Sequence, residues 1–275
     1  MQKESLKFID SNVFEGMTSI RALIAGIDSR VSDRRILKVL FDADKMPKIS
    51  KEVGYLRAVS DKYGFELTKS NAEEMSEITL GNTHGGIVAV ASARTLPSLT
   101  PDIIKPDGFY AMIQGIEDPY NFGYAMRSLY ACGCDGIILD GRNWMNAAGV
   151  VCRSSAGASE RFEVYTASDI EAANIFKSLG YSIVCADENT DNLLGDTALL
   201  SPLLLVVGGE KRGISRSLIS SADTLVKIPY AREFRASLSA ASATTMFAYE
   251  IMRQRLTKKY SIYFIKNIQD LLIFT

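Results

Sequence analysis

Apolar and polar positions along the chain follow two periods, and each change of period marks an element. "MTSIRALIAGIDSR" brings apolar residues back every three to four positions and predicts a helix. "RRILKVLFD" then reads as a strand, "SKEVGYLRAVSDKYG" and "NAEEMSEIT" as helices, and "GGIVAVAS" as a strand. Together they predict a small α/β module. A polar stretch holding Pro97, Pro101 and Pro106 interrupts all periodicity, which places a linker and a domain boundary near residue 105. Beyond it, strand-like runs ("GFYAMIQGI", "GIILD", "FEVYT", "YSIVCAD", "LLLVVGG", "TLVKIP") alternate with helix-like ones ("NFGYAMRSLYACG", "NAAGVVCRSSAGA", "DIEAANIFKSLG", "SRSLISSA", "SLSAASATTMFAYEIMRQRL"). Such alternation implies βαβ units around a largely parallel sheet. The expected organisation is an N-terminal α/β domain with linker over 1–105 and a parallel-sheet α/β domain over 106–275.

Composition narrows this picture moderately. A chain of 275 residues with 47% hydrophobic content buries a sizeable core and accommodates two domains. The net charge of -1 excludes a globally basic nucleic-acid coat, so any RNA contact must come from a local patch. The sequence has no apolar run of about eighteen residues, and "MQKESLKFID" lacks the apolar core of a signal peptide; the expectation is a cytoplasmic protein without a membrane span. Cys132, Cys134, Cys152 and Cys185 lie among apolar neighbours without CxxC spacing, and His84 is the single histidine. That pattern predicts reduced, buried thiols and no metal site.

The candidate chemistry sits after the apolar strands, because open α/β sheets bind ligands beyond the carboxyl ends of their strands. Three segments qualify: "EDPYNFGYAMRS", "GGEKRGIS" and "YAREFRASLSAAS". In "GGEKRGIS", Gly208 and Gly213 are spaced as in a phosphate loop, but Ile214 stands where that loop needs lysine, which argues against a nucleotide phosphate.

Taken in this order, the three segments resemble the motifs of the SpoU/TrmH-type RNA 2′-O-ribose methyltransferases. The first motif appears as Asn121, Gly123 and Arg127, the second as Gly208, Glu210 and Gly213, and the third runs from Ile228 and Pro229 to Ser237, Leu238, Tyr249 and Glu250. "VVCRSSAGAS" and "THGGIVAVA" also fit, so the resemblance covers nearly the whole chain apart from its C-terminal tail. It implies a trefoil-knotted C-terminal domain, S-adenosylmethionine as cofactor, rRNA or tRNA as substrate, a homodimer, and a small substrate-binding domain at the N-terminus. The family's usual asparagine in the third motif is replaced by Ser239, and the loop before Ser237 is one residue longer, carrying Arg232, Glu233 and Arg235.

The resemblance assigns Gly208, Ile228 and Leu238 to the cofactor, and the small Gly208 and Gly209 permit close backbone approach. Asn121, Arg127, Glu210, Ser237 and Ser239 are the catalytic candidates. Arginine keeps its proton, so Arg127 is better suited to clamp a phosphate and stabilise a developing alkoxide than to act as a base. Glu210 either orients Arg127 or accepts the proton; standing alone, it reads as an acid at a helix N-terminus. Arg34, Arg35, Arg153, Arg232 and Arg235 are the candidate RNA contacts. Two other readings stay open: a knotted RNA-binding or assembly protein without turnover, and an RNA base methyltransferase using the same cofactor.

Overall fold

The computed structural model describes residues 12–80, 84–141, 144–200 and 202–272, with side chains described up to residue 258. The chain packs as two compact units. The first gathers the described residues of 1–97 together with 117–127 and 142–164; the second holds 98–116, 128–141 and 165–272.

The first unit contains a four-stranded sheet in the order β1-β4-β2-β3. Its strands are β1 (Val13–Glu15), β2 (Ile36–Asp42), β3 (Glu66–Ser70) and β4 (Ile87–Ala91). β4 runs antiparallel to β1 and β2, and β2 runs parallel to β3. The helices α1 (Gly16–Asp28), α2 (Met46–Tyr63) and α3 (Ala72–Ile78) accompany it, all three where the apolar period predicts them. Strands β1 and β3 were not read from the sequence. Both are sheet edges; β1 is three residues long and the "ELTKS" of β3 is mostly polar, so neither carries the apolar run of a central strand. The core joins Phe14, Leu23, Val39 and Leu56 to Ala148 and Cys152, which arrive from α5 (Ala148–Ser154). A Cβ on Gly149 would stand 1.9 Å from the Val13 carbonyl oxygen, so only glycine lets α5 approach β1 this closely.

The second unit is built on a six-stranded sheet in the order β10-β8-β9-β5-β6-β7. Its strands are β5 (Phe109–Gln114), β6 (Gly136–Leu139), β7 (Val164–Thr166), β8 (Ser182–Ala186), β9 (Leu203–Gly208) and β10 (Thr224–Val226). The described pairings are parallel throughout. β5 is buried along its whole length and β9 up to its last residue, which is why both read as continuous apolar runs rather than alternating ones. The helices of this unit are α7 (Asp169–Ser178), α8 (Arg216–Ser221) and α9 (Ala240–Leu272), while α6 (Ala158–Arg161) and most of α4 (Pro119–Ala131) belong to the first unit. Tyr110 and Tyr181 pack on Phe176 with centroids 5.3 and 5.0 Å away. Cys134, Cys152 and Cys185 are free and buried while Cys132 is half-buried, and burial pushes the Cys185 thiol up to about 12. Among the described residues no helix is long and apolar enough to cross a membrane.

Candidate active site

At the carboxyl ends of β8, β9 and β10 the second unit opens a cleft of about 530 Å³. Residues of three stretches line it, 186–189, 207–210 with 213 and 214, and 226–230 with 234, 237 and 238, and Ala240, Ala243 and Phe247 from α9 lie behind them. This is where a parallel sheet offers a ligand both free main-chain groups and shaped loops.

The turn after β9 is held from several sides. The Gly213 amide donates to the Gly209 carbonyl at 2.9 Å, and Gly213 sits at φ 62° in the left-handed region. From β5, the buried Gln114 accepts the Ser215 amide on Oε1 at 3.0 Å. The Ser215 hydroxyl donates to Asp169 Oδ2 at 2.6 Å, and Ser217 joins it at 2.8 Å. These hydroxyl bonds hold the Asp169 carboxyl below its ordinary value. The glycines have a sharper reason than access for a ligand. A Cβ on Gly208 would stand 2.3 Å from the Gly213 carbonyl carbon, and one on Gly209 would stand 2.0 Å from the Gly115 oxygen. Chain passes chain here with no room for a side chain, while Gly208 still lines the cleft.

The third stretch folds back on itself. The Tyr230 hydroxyl accepts the Leu238 amide at 3.1 Å, and the Tyr230 and Phe234 rings meet edge to face at 5.8 Å. Ile228 and Leu238 are half-buried cleft residues, and Ser237 lines the cleft as an exposed residue. Ser239 turns to the helix instead. Its carbonyl accepts the Ala243 amide at 2.9 Å and its hydroxyl accepts the Ser242 amide at 3.2 Å, which makes it the N-cap of α9. Glu210, from the turn after β9, completes that cap by accepting the Ala240 amide on Oε1 at 3.0 Å.

The sequence profile of the SpoU rRNA Methylase family matches residues 108–249, the stretch that contains the whole of this cleft. The chain belongs to that family. An uncharacterized tRNA/rRNA methyltransferase of Mycobacterium leprae is 34% identical over 152 residues, covering 55% of this chain and about half (49%) of the relative's length. A 23S rRNA (guanosine-2′-O-)-methyltransferase of Shewanella oneidensis is 26% identical over 249 residues, covering 89% of this chain and 98% of the relative. Among solved structures, a SpoU methyltransferase from Streptomyces viridochromogenes in complex with AdoMet shares the fold at a TM-score of 0.73, with 22% identity over 89% of this chain and 90% of that one.

The remaining SpoU-motif and arginine positions fall as follows. Asn121 and Arg127 stand on α4 in the first unit, Asn121 half-buried and Arg127 exposed. Between them a Cβ on Gly123 would stand 1.8 Å from the Ser154 hydroxyl, so this position must be glycine for α4 to lie against α5. Arg34 corrects the expectation of an RNA contact. Its side chain is fully buried, bonded through Nε to Glu160 Oε2 at 2.8 Å and through Nη1 to Asn12 Oδ1 and the Ser92 carbonyl at 2.9 and 2.8 Å. A guanidinium so enclosed fastens the stretch 144–164 to the first sheet and reaches no nucleic acid. Arg153 is exposed and paired with Glu15 Oε2 at 2.8 Å, and Arg35, Arg232 and Arg235 are exposed as well.

Sequence reasoning passed over the loop 187–189, where Asp187, Glu188 and Asn189 form one wall of the cleft. Asp187 Oδ1 accepts from the Asn189 backbone and side-chain amides at 2.7 and 2.9 Å, which fixes the loop. The signal was present: "CADEN" follows an apolar strand just as the other segments do.

Proposed function

We infer that the protein transfers a methyl group from S-adenosylmethionine to a ribose 2′-hydroxyl of rRNA or tRNA. The observation that carries this reading is the cleft formed by the loops after β8, β9 and β10 within the SpoU-matched stretch. The guanosine-2′-O-methylation of 23S rRNA by the Shewanella oneidensis relative and the AdoMet held by the Streptomyces viridochromogenes enzyme support it.

The lining suits that cofactor. Val207, Ile214, Val226 and Leu238 offer apolar surface for an adenine ring, and the backbone at Gly208, Gly209 and Ile228 offers polar edges. Asp187 and Glu188 bring carboxylates, which accept from ribose hydroxyls and favour a cationic sulfonium and ammonium. Bound there, S-adenosylmethionine supplies an electrophilic methyl group for in-line displacement. Arg127 clamps the phosphate beside the target ribose and stabilises the developing alkoxide. Glu210, held through Oε1 by the Ala240 amide, is the fixed carboxylate that takes the hydroxyl proton. Asn121 and Ser237 position the nucleotide, and Ser239 acts through the α9 cap.

The same reading includes a trefoil knot and a homodimer. Met246, Tyr249 and Leu256 form an exposed stripe on α9 at helical spacing, the kind of face that a second copy covers.

Incubation of total RNA with methyl-labelled S-adenosylmethionine tests the reaction. The expected product is an alkali-resistant dinucleotide, because a methylated 2′-oxygen cannot attack its phosphate. Label confined to alkali-sensitive nucleotides makes the protein a base methyltransferase, and no label with any RNA makes it a binder.

A further inference from the structure

The loop after β10 leaves two aromatic rings at the cleft instead of burying them. Tyr230 and Phe234 both line it, yet they remain 44% and 57% exposed. Burying a ring of this size is ordinarily favourable, so two exposed rings side by side call for a partner. The two rings meet each other and are tied to the cleft. The centroids lie 5.8 Å apart at 65°, and the Tyr230 hydroxyl is tied to the amide of Leu238, itself a cleft residue.

The charges on the same loop indicate what the rings receive. Arg232 and Arg235 bracket Phe234 in sequence, and both are exposed. The ion pair of Arg235 with Glu233 is 3.5 Å long between side chains 93% and 83% exposed, which leaves the guanidinium accessible to a stronger anion. S-adenosylmethionine has no phosphate, and neither arginine lines the cleft assigned to it, so a different anion is what these two guanidiniums suit. A phosphodiester chain matches both the rings and the arginines. Aromatic rings accept any base by its face, and in a duplex those faces are already stacked.

We propose that the Tyr230–Phe234 pair is a stacking platform for an unpaired RNA base beside the target ribose, with Arg232 and Arg235 on the flanking phosphates. The proposal rests on the methyltransferase reading and adds a substrate class to it: single-stranded or looped RNA enters by this loop, and duplex RNA does not.

The probe is a short single-stranded oligoribonucleotide carrying one 2-aminopurine, whose fluorescence is quenched by stacking, together with calorimetry of S-adenosylhomocysteine. The wild-type protein is expected to quench the single strand and not its duplex. Phe234→Ala is expected to weaken oligonucleotide binding by about tenfold to a hundredfold, the scale of one lost base–aromatic stack, and to leave S-adenosylhomocysteine affinity unchanged. Phe234→Trp keeps the quenching. Because Phe234 is exposed, its loss leaves the fold intact, which a thermal melt of each variant checks. A wild-type protein that binds S-adenosylhomocysteine but does not quench the probe overturns the platform and leaves the methyltransferase reading standing. Loss of S-adenosylhomocysteine binding in Phe234→Ala without loss of RNA binding also overturns it, since the rings then serve the cofactor. A wild-type protein that binds neither ligand removes both readings together.

Discussion

The carboxylate of Glu210 accepts the backbone amide of Ala240 at 3.0 Å, joining the turn after β9 to the first residue of α9. With the Ser239 hydroxyl on the Ser242 amide, it satisfies two of the donors that a helix N-terminus leaves open. The position where this chain departs from the family's asparagine is thus a helix cap, and serine and asparagine cap about equally well. Ser239→Asn is expected to hold stability within a few tenths of a kcal/mol, and Ser239→Ala to lose about 1 kcal/mol. Chemical denaturation measures both; an asparagine variant as unstable as the alanine one contradicts the capping role.

Arg127→Ala is expected to remove methyl transfer to RNA while leaving S-adenosylhomocysteine affinity intact, because Arg127 is assigned to the RNA phosphate and the oxyanion. Arg127→Lys should rescue little, since an ammonium lacks the planar fork. Single-turnover rates decide the matter, and an alanine variant of near wild-type rate removes the assignment.

The exposed stripe of α9 predicts the effect of a charge placed on it. Tyr249→Glu is expected to convert a dimer into monomers and to abolish activity while each chain stays folded. Sedimentation and circular dichroism report the two properties separately. A fully active monomer would show that the second copy is dispensable.

The Asp169 carboxyl, held below its ordinary value by Ser215 and then Ser217, makes the turn after β9 sensitive to acid. A depressed folded-state value means the carboxylate contributes stability above the unfolded value of about 3.9 and loses it as pH falls through the folded value. The stability difference between wild type and Asp169→Asn should therefore stay constant above about pH 5 and shrink toward pH 3. A difference that persists undiminished at the acid end rules out this linkage.

The buried Arg34–Glu160 bridge fastens the first unit. Glu160→Ala leaves a fully enclosed guanidinium without its counter-charge and is expected to cost about 3–5 kcal/mol. Replacing both residues by methionine removes the buried charge and should recover much of that loss. A single variant of near wild-type stability in denaturant titration would show that water reaches Arg34.

The amino-acid pattern by itself determined the elements whose signal is local. The continuous apolar runs of β5 and β9, the helical period of α1 and α9, and the "GGEKRGIS" turn are set by neighbours within a few positions, so a linear reading finds them. Gly208, Ser237 and Leu238 lie in segments that follow apolar strands, but it is the resemblance to the SpoU/TrmH motifs that marks them and Ile228 as site residues, since Ile228 and Leu238 alone read as core. Only the tertiary structure decided the rest. Arg34 and Glu160 are 126 residues apart, and no local pattern tells a buried arginine from a solvated one. Glu210 reads as the acid of its own turn until the fold brings Ala240, 30 residues away, to its carboxylate. The edge strands β1 and β3 exist because β4 and β2 offer them hydrogen-bonding partners, not because their side chains demand extension. Residues 144–164 join the first sheet through Gly149, Cys152 and Glu160, a choice made by close packing and charge burial at long sequence separation. Periodicity records what each residue prefers near its neighbours; partners far along the chain are selected by the energy of burying them together.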